Sequence, residues 1–231
     1  IEAKDLGFII TASGMDGTIK IHTDKAINES ELARVISIQE VALTAIVYQP
    51  FNKLLVTGTQ NGIVAFWEAE TGKFIGQCSC FGMEEIVSIA VLQDLDYVIV
   101  ATSQGKIGLI TSPPSLLRYN KVYEFINYDG EGLKIPVYPF HMVWSHEKKT
   151  LIIADDRSWV KAFDLSGKIE ELYRHKEEEK NRKLAQQNSA KYTLTLPEVS
   201  TSSPPIIWSI KAHNDPIKGF EYAESVGLIF T

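Results

Sequence analysis

Apolar and polar positions alternate in short runs along this chain, and the runs recur. In "TGTQNGIVAFWEAETGKF", Thr57 to Phe74, an apolar strand ends in Asn61-Gly62, alternation resumes up to Trp67, and Thr71-Gly72-Lys73 turns the chain again. Asn-Gly between alternating apolar residues is a hairpin signal, because a two-residue type I′ turn needs φ > 0 at both central positions and Asn and Gly tolerate it. Val64 and Phe66 stand two apart and therefore share one face of the following strand. The stretch predicts strand, hairpin, strand, turn.

The pattern returns three more times. "SGMDGTIKIH" (Ser13 to His22), "GTQNGIVAFW" (Gly58 to Trp67), "ATSQGKIGLI" (Ala101 to Ile110) and "DDRSWVKAFD" (Asp155 to Asp164) align without gaps up to a shared slot, which holds His22, Trp67, Ile110 and Phe163. Five residues before that slot stand Gly17, Gly62, Gly105 and Ser158. Ile19 and Ile21, Val64 and Phe66, Ile107 and Leu109, and Val160 and Ala162 share the intervening face. An apolar strand precedes each hairpin: "GFIIT" (Gly7 to Thr11), "KLLVT" (Lys53 to Thr57), "YVIVA" (Tyr97 to Ala101) and "TLIIA" (Thr150 to Ala154). A further strand lies before these in "LTAIVY" (Leu43 to Tyr48), "IVSIAVL" (Ile86 to Leu92), "YPFHMVW" (Tyr138 to Trp144) and "IKGFEY" (Ile217 to Tyr222). Slot-to-slot spacings of 45, 43 and 53 residues, with four strands per unit, mark β-propeller blades.

Composition narrows the class. At 231 residues, 45% hydrophobic and 23% charged, the chain has the makeup of a globular protein. A net charge of −6 argues against nucleic-acid binding, which needs concentrated Lys and Arg. No apolar run reaches the roughly 18 residues of a membrane helix. The opening "IEAKDLG", with neither Met nor a signal-type block, suggests a piece of something longer. Cys78 and Cys80, in "GQCSCFG", read as two free thiols in a reducing compartment. A disulfide between them would close a strained short loop, and zinc would need further ligands.

The units resemble WD-repeats (WD40), whose blade runs Gly-His, strand, strand, Asp-Gly turn, a third strand ending Trp-Asp, then an outer strand. The match is clearest in "NGIVAFWEAETGKFIG", in "VKAFDLSGK" and in "IKAHNDPIKGFEYAESVGLIFT", where Ala212-His213 occupies the Gly-His position. The resemblance implies that His213, the turn residues Asp16 and Asn61, Trp67 and Asp164 are structural repeat positions. It implies the same for Gly17, His22, Gly62, Gly105, Ile110 and Phe163. The family's tetrad of His, Ser or Thr, Asp and Trp is degenerate here. The turn slot keeps Asp only at Asp16 and then reads Asn61, Gln104 and Arg157, the Trp slot keeps only Trp67, and Gln39 stands near where a Gly-His would be. Apolar packing between neighbouring blades must then hold the sheets together.

"AKDLGFIIT" near the start and "AESVGLIFT" near the end are near copies, so about four blade-lengths separate one blade phase from its repeat. The fold expected is an all-β, WD40-type propeller with units of about 1–38, 39–81, 82–134 and 135–231. It belongs either to a larger propeller of seven blades or more, the favoured reading, or to a compact four-unit ring.

Two inserts interrupt the repeat. Residues 111–139 carry Pro-Pro and Asp-Gly turn signals, an outer strand in "KVYEFINY" (Lys121 to Tyr128), and the aromatics Tyr119, Tyr123, Phe125, Tyr128 and Tyr138. Those aromatics either pack the outer strand or form a partner-binding patch. Residues 169–206 begin with helix formers and place Glu170–Arg174, Glu178–Arg182 and Glu179–Lys183 at i,i+4. Apolar residues look too sparse there for a buried face, so a solvated helix or a disordered charged loop is expected, with "STSSPPI" (Ser200 to Ile206) as linker. In the geometry that the resemblance implies, the insert joins the third strand of its blade to the outer strand. It is the first candidate for a contact outside the propeller, against an idle solvated loop.

Catalytic patterns are missing: the sequence holds no HExxH, no phosphate loop ending Gly-Lys-Ser/Thr and no GxSxG. Thr71-Gly72-Lys73 reads as a turn, and His141 and His146 fall on opposite strand faces, unsuited to one metal. His213 reads as structural. Asp155-Asp156 could hold a cation, but adjacent carboxylates before a hairpin commonly form turns. No catalytic residue, cofactor or metal is expected. A finer similarity, carried by "PPIIWSIKAHNDPIKGFEYAESVGLIFT", is to long divergent WD-repeat proteins of cilia and flagella, some with EF-hands, although no EF-hand loop occurs here. It implies a scaffold of the axoneme in the cytoplasm and cytoskeleton, binding other proteins and neither nucleic acid nor membrane. The rivals are a cytosolic adaptor in trafficking, signalling or ubiquitin-ligase assembly and, from another class, a propeller enzyme.

Overall fold

The computed structural model describes residues 1–23, 32–37, 41–113, 121–185, 199–215 and 217–231, with the side chains of 33, 179 and 182–185 excepted. The predicted strands fall where the alternation put them. Sheet one is formed by β1 (Glu2–Ala3), β2 (Phe8–Ser13), β3 (Thr18–Thr23) and β4 (Leu32–Ser37). Sheet two has β5 (Leu43–Gln49), β6 (Leu54–Thr59), β7 (Val64–Glu68) and β8 (Phe74–Cys78). Sheet three has β9 (Ile86–Val91), β10 (Tyr97–Thr102), β11 (Lys106–Thr111) and β12 (Lys121–Ile126). In sheet four, β13 (Pro139–Ser145), β14 (Thr150–Asp155) and β15 (Trp159–Asp164) are followed by helix α1 (Ser166–Ala185) before β16 (Ile206–Lys211) completes the order. A final hairpin pairs β17 (Glu221–Ala223) with β18 (Leu228–Phe230). "IKGFEY" is thus strand only from Glu221 onward.

Each sheet is an antiparallel meander, and the sheets stack in succession as propeller blades. The repeated face of one packs on the reverse face of the next. Ile19 and Ile21 meet Leu55, Ala65 and Trp67. Val64 and Phe66 meet Val98, Val100 and Ile110, and Ile107 and Leu109 meet Leu151, Ile153 and Phe163. Val160 and Ala162 meet Ile217 and, in part, Phe220, Tyr222 and Ile229. Burying each such side chain contributes roughly 1.5–3 kcal/mol. The central strands β6, β10 and β14 are buried on both faces and so read as continuous apolar runs.

The turn slot has one conformational cause. Gly17, Gly62, Gly105 and Ser158 all have positive φ, at 62°, 81°, 79° and 66°. Asn61 does not join them, so the hairpin is not the expected type I′ turn. Gly62 N–H donates to Thr59 O at 3.2 Å and Thr59 N–H to Ile63 O at 3.1 Å, a three-residue loop closing on a left-handed glycine. Gly105 to Thr102 and Ser158 to Asp155 repeat the closure, each at 3.1 Å. The side chain at its start adds a second lock, with Thr59 Oγ1 accepting from Ile63 N–H at 3.0 Å, Thr102 Oγ1 from Lys106 at 3.3 Å and Asp155 Oδ1 from Trp159 at 3.0 Å.

Candidate functional site: the rim that carries the helix

In a four-strand meander the first-to-second and third-to-fourth turns lie at the same end. That end gathers residues 4–7, 50–53, 69–73, 93–96, 146–149 and 224–227 with the described parts of the insert between β15 and β16, residues 166–185 and 199–205. Side chains there tie each sheet to the next. Tyr48 donates to Asp5 Oδ2 at 2.7 Å, Asn52 Nδ2 to Asp96 Oδ1 at 3.0 Å, and Ser145 Oγ to Glu224 Oε1 at 2.7 Å. Burial, and the Asp5 carboxylate as acceptor, push the Tyr48 hydroxyl above the ordinary phenol range.

The insert overturns the expectation of a fully solvated segment. Asp164 Oδ1 accepts from Ser166 N–H at 2.8 Å and starts the helix. Leu165, Ile169 and Leu172, spaced as one helical stripe, are then buried against a core that includes Leu92 and Leu95. Among the described side chains of α1, the contacts with the body come from its first turns, so three apolar residues suffice. Tyr173 donates to Asp94, and burial followed by that hydrogen bond raises its hydroxyl pKa. Lys176 Nζ lies 3.8 Å from Asp96 Oδ2 and 5.4 Å from the Phe51 ring, while Lys149 Nζ lies 5.8 Å from the Tyr173 ring. One helix therefore touches turns of sheets two, three and four. Further on, Glu177, Glu178, Lys180 and Asn181 are exposed. At 1.5 Å per residue α1 is about 30 Å long, and its second half offers charge to the surroundings.

The return of the insert is not free linker. Ser200 lies in parallel register with Tyr123, its carbonyl accepting from Glu124 N–H at 2.9 Å, and the Tyr123 hydroxyl donates to Ser202 O. This covers part of the outer edge of β12. Pro205 O then accepts from Asp164 N–H at 2.8 Å and joins the two ends of the insert.

In the other insert, Tyr123 and Phe125 are buried, with Phe125 5.2 Å from Phe163 between ring centres. They pack the outer strand instead of lining a partner patch, and Tyr128 and Tyr138 are half-buried. Tyr119, Gln39 and the Glu178–Arg182 and Glu179–Lys183 pairs lie outside the described residues or side chains.

The positions that the resemblance assigns to a repeat make separate local contacts. Trp67 Nε1 donates to Thr57 Oγ1 at 3.1 Å inside sheet two. His213 Nε2 lies 2.6 Å from Thr231 Oγ1 at the last hairpin. Asp16 Oδ1 accepts from Thr18 Oγ1 at 2.6 Å and from its N–H at 2.9 Å, bonds that hold its carboxyl below the ordinary range. His22 Cα pairs with Ile9, Ile110 and Phe163 are core residues, and Asp164 serves the helix. Thr71-Gly72-Lys73 is a turn with Gly72 at φ 70°. His146 Nδ1 lies 3.6 Å from Asp94 Oδ1, whereas His141 meets the Phe140 ring edge to face.

Sequence reasoning missed the cation that Asp155 does hold. It is Lys161 Nζ, 2.6 Å from Asp155 Oδ2, which also donates to Asn127 Oδ1 at 3.1 Å and to Tyr128 O in the connection from sheet three. Burial lowers the Lys161 pKa, against the pull of Asp155. The available signal was a lysine in the middle of an otherwise apolar third strand. Among the described residues no three His, Cys, Asp or Glu side chains are placed to hold a metal ion, and no described helix is long and apolar enough to cross a membrane.

No family model matches the chain. Along its whole length it is 26% identical to cilia- and flagella-associated protein 337 B of Tetrahymena thermophila, of which it spans 22%. Its fold is that of the crystal structure of Chaetomium thermophilum Raptor over 94% of this chain and 16% of that one, with a TM-score of 0.60 at 10% identity. The Raptor likeness speaks to the blade architecture alone. The Tetrahymena relative is named for cilia and flagella, and this chain spans about a fifth of its length.

Proposed function

We propose that this chain is part of a non-catalytic WD-repeat scaffold of the ciliary or flagellar axoneme, with the helix-bearing rim as the surface that engages other proteins. The observation that carries the reading is the similarity to cilia- and flagella-associated protein 337 B across all of this chain. The rim supports it physically. A stacked β scaffold holds the base of α1 rigidly through Leu172 and Tyr173, while Glu177 and Lys180 further along the helix are exposed to solvent. Charged, solvent-facing groups on a rigid base steer and orient a partner more than they add raw affinity.

The test is fractionation of the full-length protein from isolated, detergent-treated cilia, followed by washes of rising salt. Retention in the axonemal pellet, with release only at high salt, supports the scaffold. Recovery in the detergent-soluble fraction, or absence from cilia, overturns it in favour of a cytosolic adaptor. Replacing residues 166–205 by a short turn should lower retention if the rim makes the contact. Unchanged retention would move the contact elsewhere on the propeller.

A further inference from the structure

β12 is the outer strand of sheet three. Its residues Val122, Tyr123 and Phe125 are buried, so the strand is held firmly from its faces while its edge is still available for pairing. Asn127 N–H donates inward to Gly105 O at 2.7 Å, and alternation along an antiparallel pair then turns the backbone groups of Glu124 and Ile126 outward. The returning insert takes up this edge only in part. Ser200 N–H donates to Val122 O at 3.3 Å, and Ser200 O accepts from Glu124 N–H at 2.9 Å. Beyond Ser200 the segment turns away. Ser202 O accepts from the Tyr123 hydroxyl, and no described part of the insert bonds to Glu124 O or Ile126 N–H, the next outward pair. Residues paired across a ladder share a face, so Ser200, and Ser202 two positions on, face the side of Tyr123. A cavity of about 360 Å³ opens there, lined by Tyr123, Asp164, Lys168, Glu171, Ser200 and Ser202 among others. Lys168 is almost wholly buried, with Nζ 5.5 Å from the centre of the Tyr123 ring and 2.9 Å from Oε1 of the more exposed Glu171. Asp164 is already engaged by Ser166 N–H.

We propose that the β12 edge is a strand-addition site for an extended segment of another protein, and that residues 199–204 are a strap that occupies it until that segment arrives. The incoming strand runs parallel to β12, as the strap does, and bonds the whole outward row from Val122 O to Ile126 N–H. It places a small residue opposite Tyr123 and an acidic one two positions later, where Lys168 exchanges Glu171 for it. Main-chain bonds of this kind supply affinity, and the alternate side chains supply specificity. The strap meets the first requirement with Ser200 and misses the second with Ser202. It also leaves half of the row unbonded, so it is built to be displaced. The bond from Asp164 N–H to Pro205 O lies outside the strap and keeps the root of the insert closed when the strap lifts. The site is on the outer circumference, away from the helix-bearing rim, and stands whether or not the protein is axonemal.

Amide exchange of the full-length protein, read residue by residue by mass spectrometry, gives the first test. Glu124 N–H, held only by the strap, should exchange about tenfold or more faster than Tyr123 and Phe125, which bond inward. Exchange of Glu124 as slow as theirs would mean that the strap never lifts, and would overturn the proposal. The second test uses Ser200→Pro, which has no N–H for Val122 and cannot join a ladder. Near-UV circular dichroism confirms that it is folded, and faster exchange at Glu124 confirms that it is unlatched. The probe is a fluorescent synthetic peptide of residues 198–205, Glu198 to Pro205. It should bind Ser200→Pro, and bind wild type about tenfold or more weakly, because the tethered strap competes at a high effective concentration. The same peptide carrying Ser202→Glu should bind Ser200→Pro about threefold or more tightly, a gain that adding Lys168→Gln to the protein should cancel. No binding to the folded, unlatched variant overturns the site. Equal binding to wild type and variant overturns the strap, and a gain that survives Lys168→Gln overturns the acidic partner.

Discussion

Lys161 Nζ sits 2.6 Å from Asp155 Oδ2, with both side chains closed off from solvent. The ammonium also reaches Asn127 and Tyr128, so one buried charge joins sheet four to the connection leaving sheet three. Lys161→Ala leaves Asp155 without its counter-charge and should destabilise the protein by about 3–5 kcal/mol. The double variant Lys161→Met with Asp155→Asn removes both charges and keeps an oxygen for the Arg157 and Trp159 N–H groups. It should be less destabilised than Lys161→Ala alone. Urea unfolding of the three proteins decides the order.

Leu172 is the innermost anchor of α1. Leu172→Ala should cost about 2–5 kcal/mol locally and speed amide exchange through the helix more than through β14 or β15. Uniform acceleration across sheet four would mean that the helix is an integral part of the blade.

Asp164 starts the same helix by accepting from Ser166 N–H, and hydrogen bonding to Ser166 holds its carboxyl below the ordinary range. Asp164→Ala should weaken the helix by about 1 kcal/mol. The sign of the pH effect follows from the depressed folded value. The stabilisation is fully present above the unfolded carboxylate pKa and is lost as pH falls through the folded one. A difference in stability between wild type and Asp164→Ala that stays constant on acidification through that window would contradict this.

Gly62 and Gly132 both adopt left-handed backbone, at φ 81° and 83°. A Cβ on Gly62 would collide with the backbone of Gly82 and Glu84, whereas one on Gly132 meets nothing. Gly132→Ala should therefore cost only the conformational penalty of about 1 kcal/mol. Gly62→Ala should exceed it by about 1–3 kcal/mol, as the connection between sheets two and three is forced to move. Thermal unfolding of the two variants side by side gives the comparison.

The blades were legible because alternation and the left-handed turn slot are local properties. Gly17, Gly62 and Gly105 announced the slot by residue type, and Ser158 entered it only by alignment. The two-sided burial of the third strands was less visible. Ala65, Gly108 and Lys161 on their second face carry no hydrophobic signature, because neighbouring sheets or the Phe81 ring supply the bulk there. The docking of α1 escaped for a related reason. Its stripe of Leu165, Ile169 and Leu172 straddles the expected start of the insert, and the surface it covers comes from Leu92 and Leu95 in another sheet. The edge pairing of Ser200 left no pattern either, since backbone groups form it and any sequence can supply them.

The closure of the insert through Asp164 and Pro205 bears on how the propeller carries load. β15 and β16 leave the rim side by side, so tension on the helix pulls both strands along their own axes in the same direction. It does not peel one from the other. The load passes as shear into the registered bonds between β14 and β15, Thr150 with Asp164 through Ala154 with Val160, which must give way together. A helix mounted this way is a tether whose root resists pulling by a whole sheet.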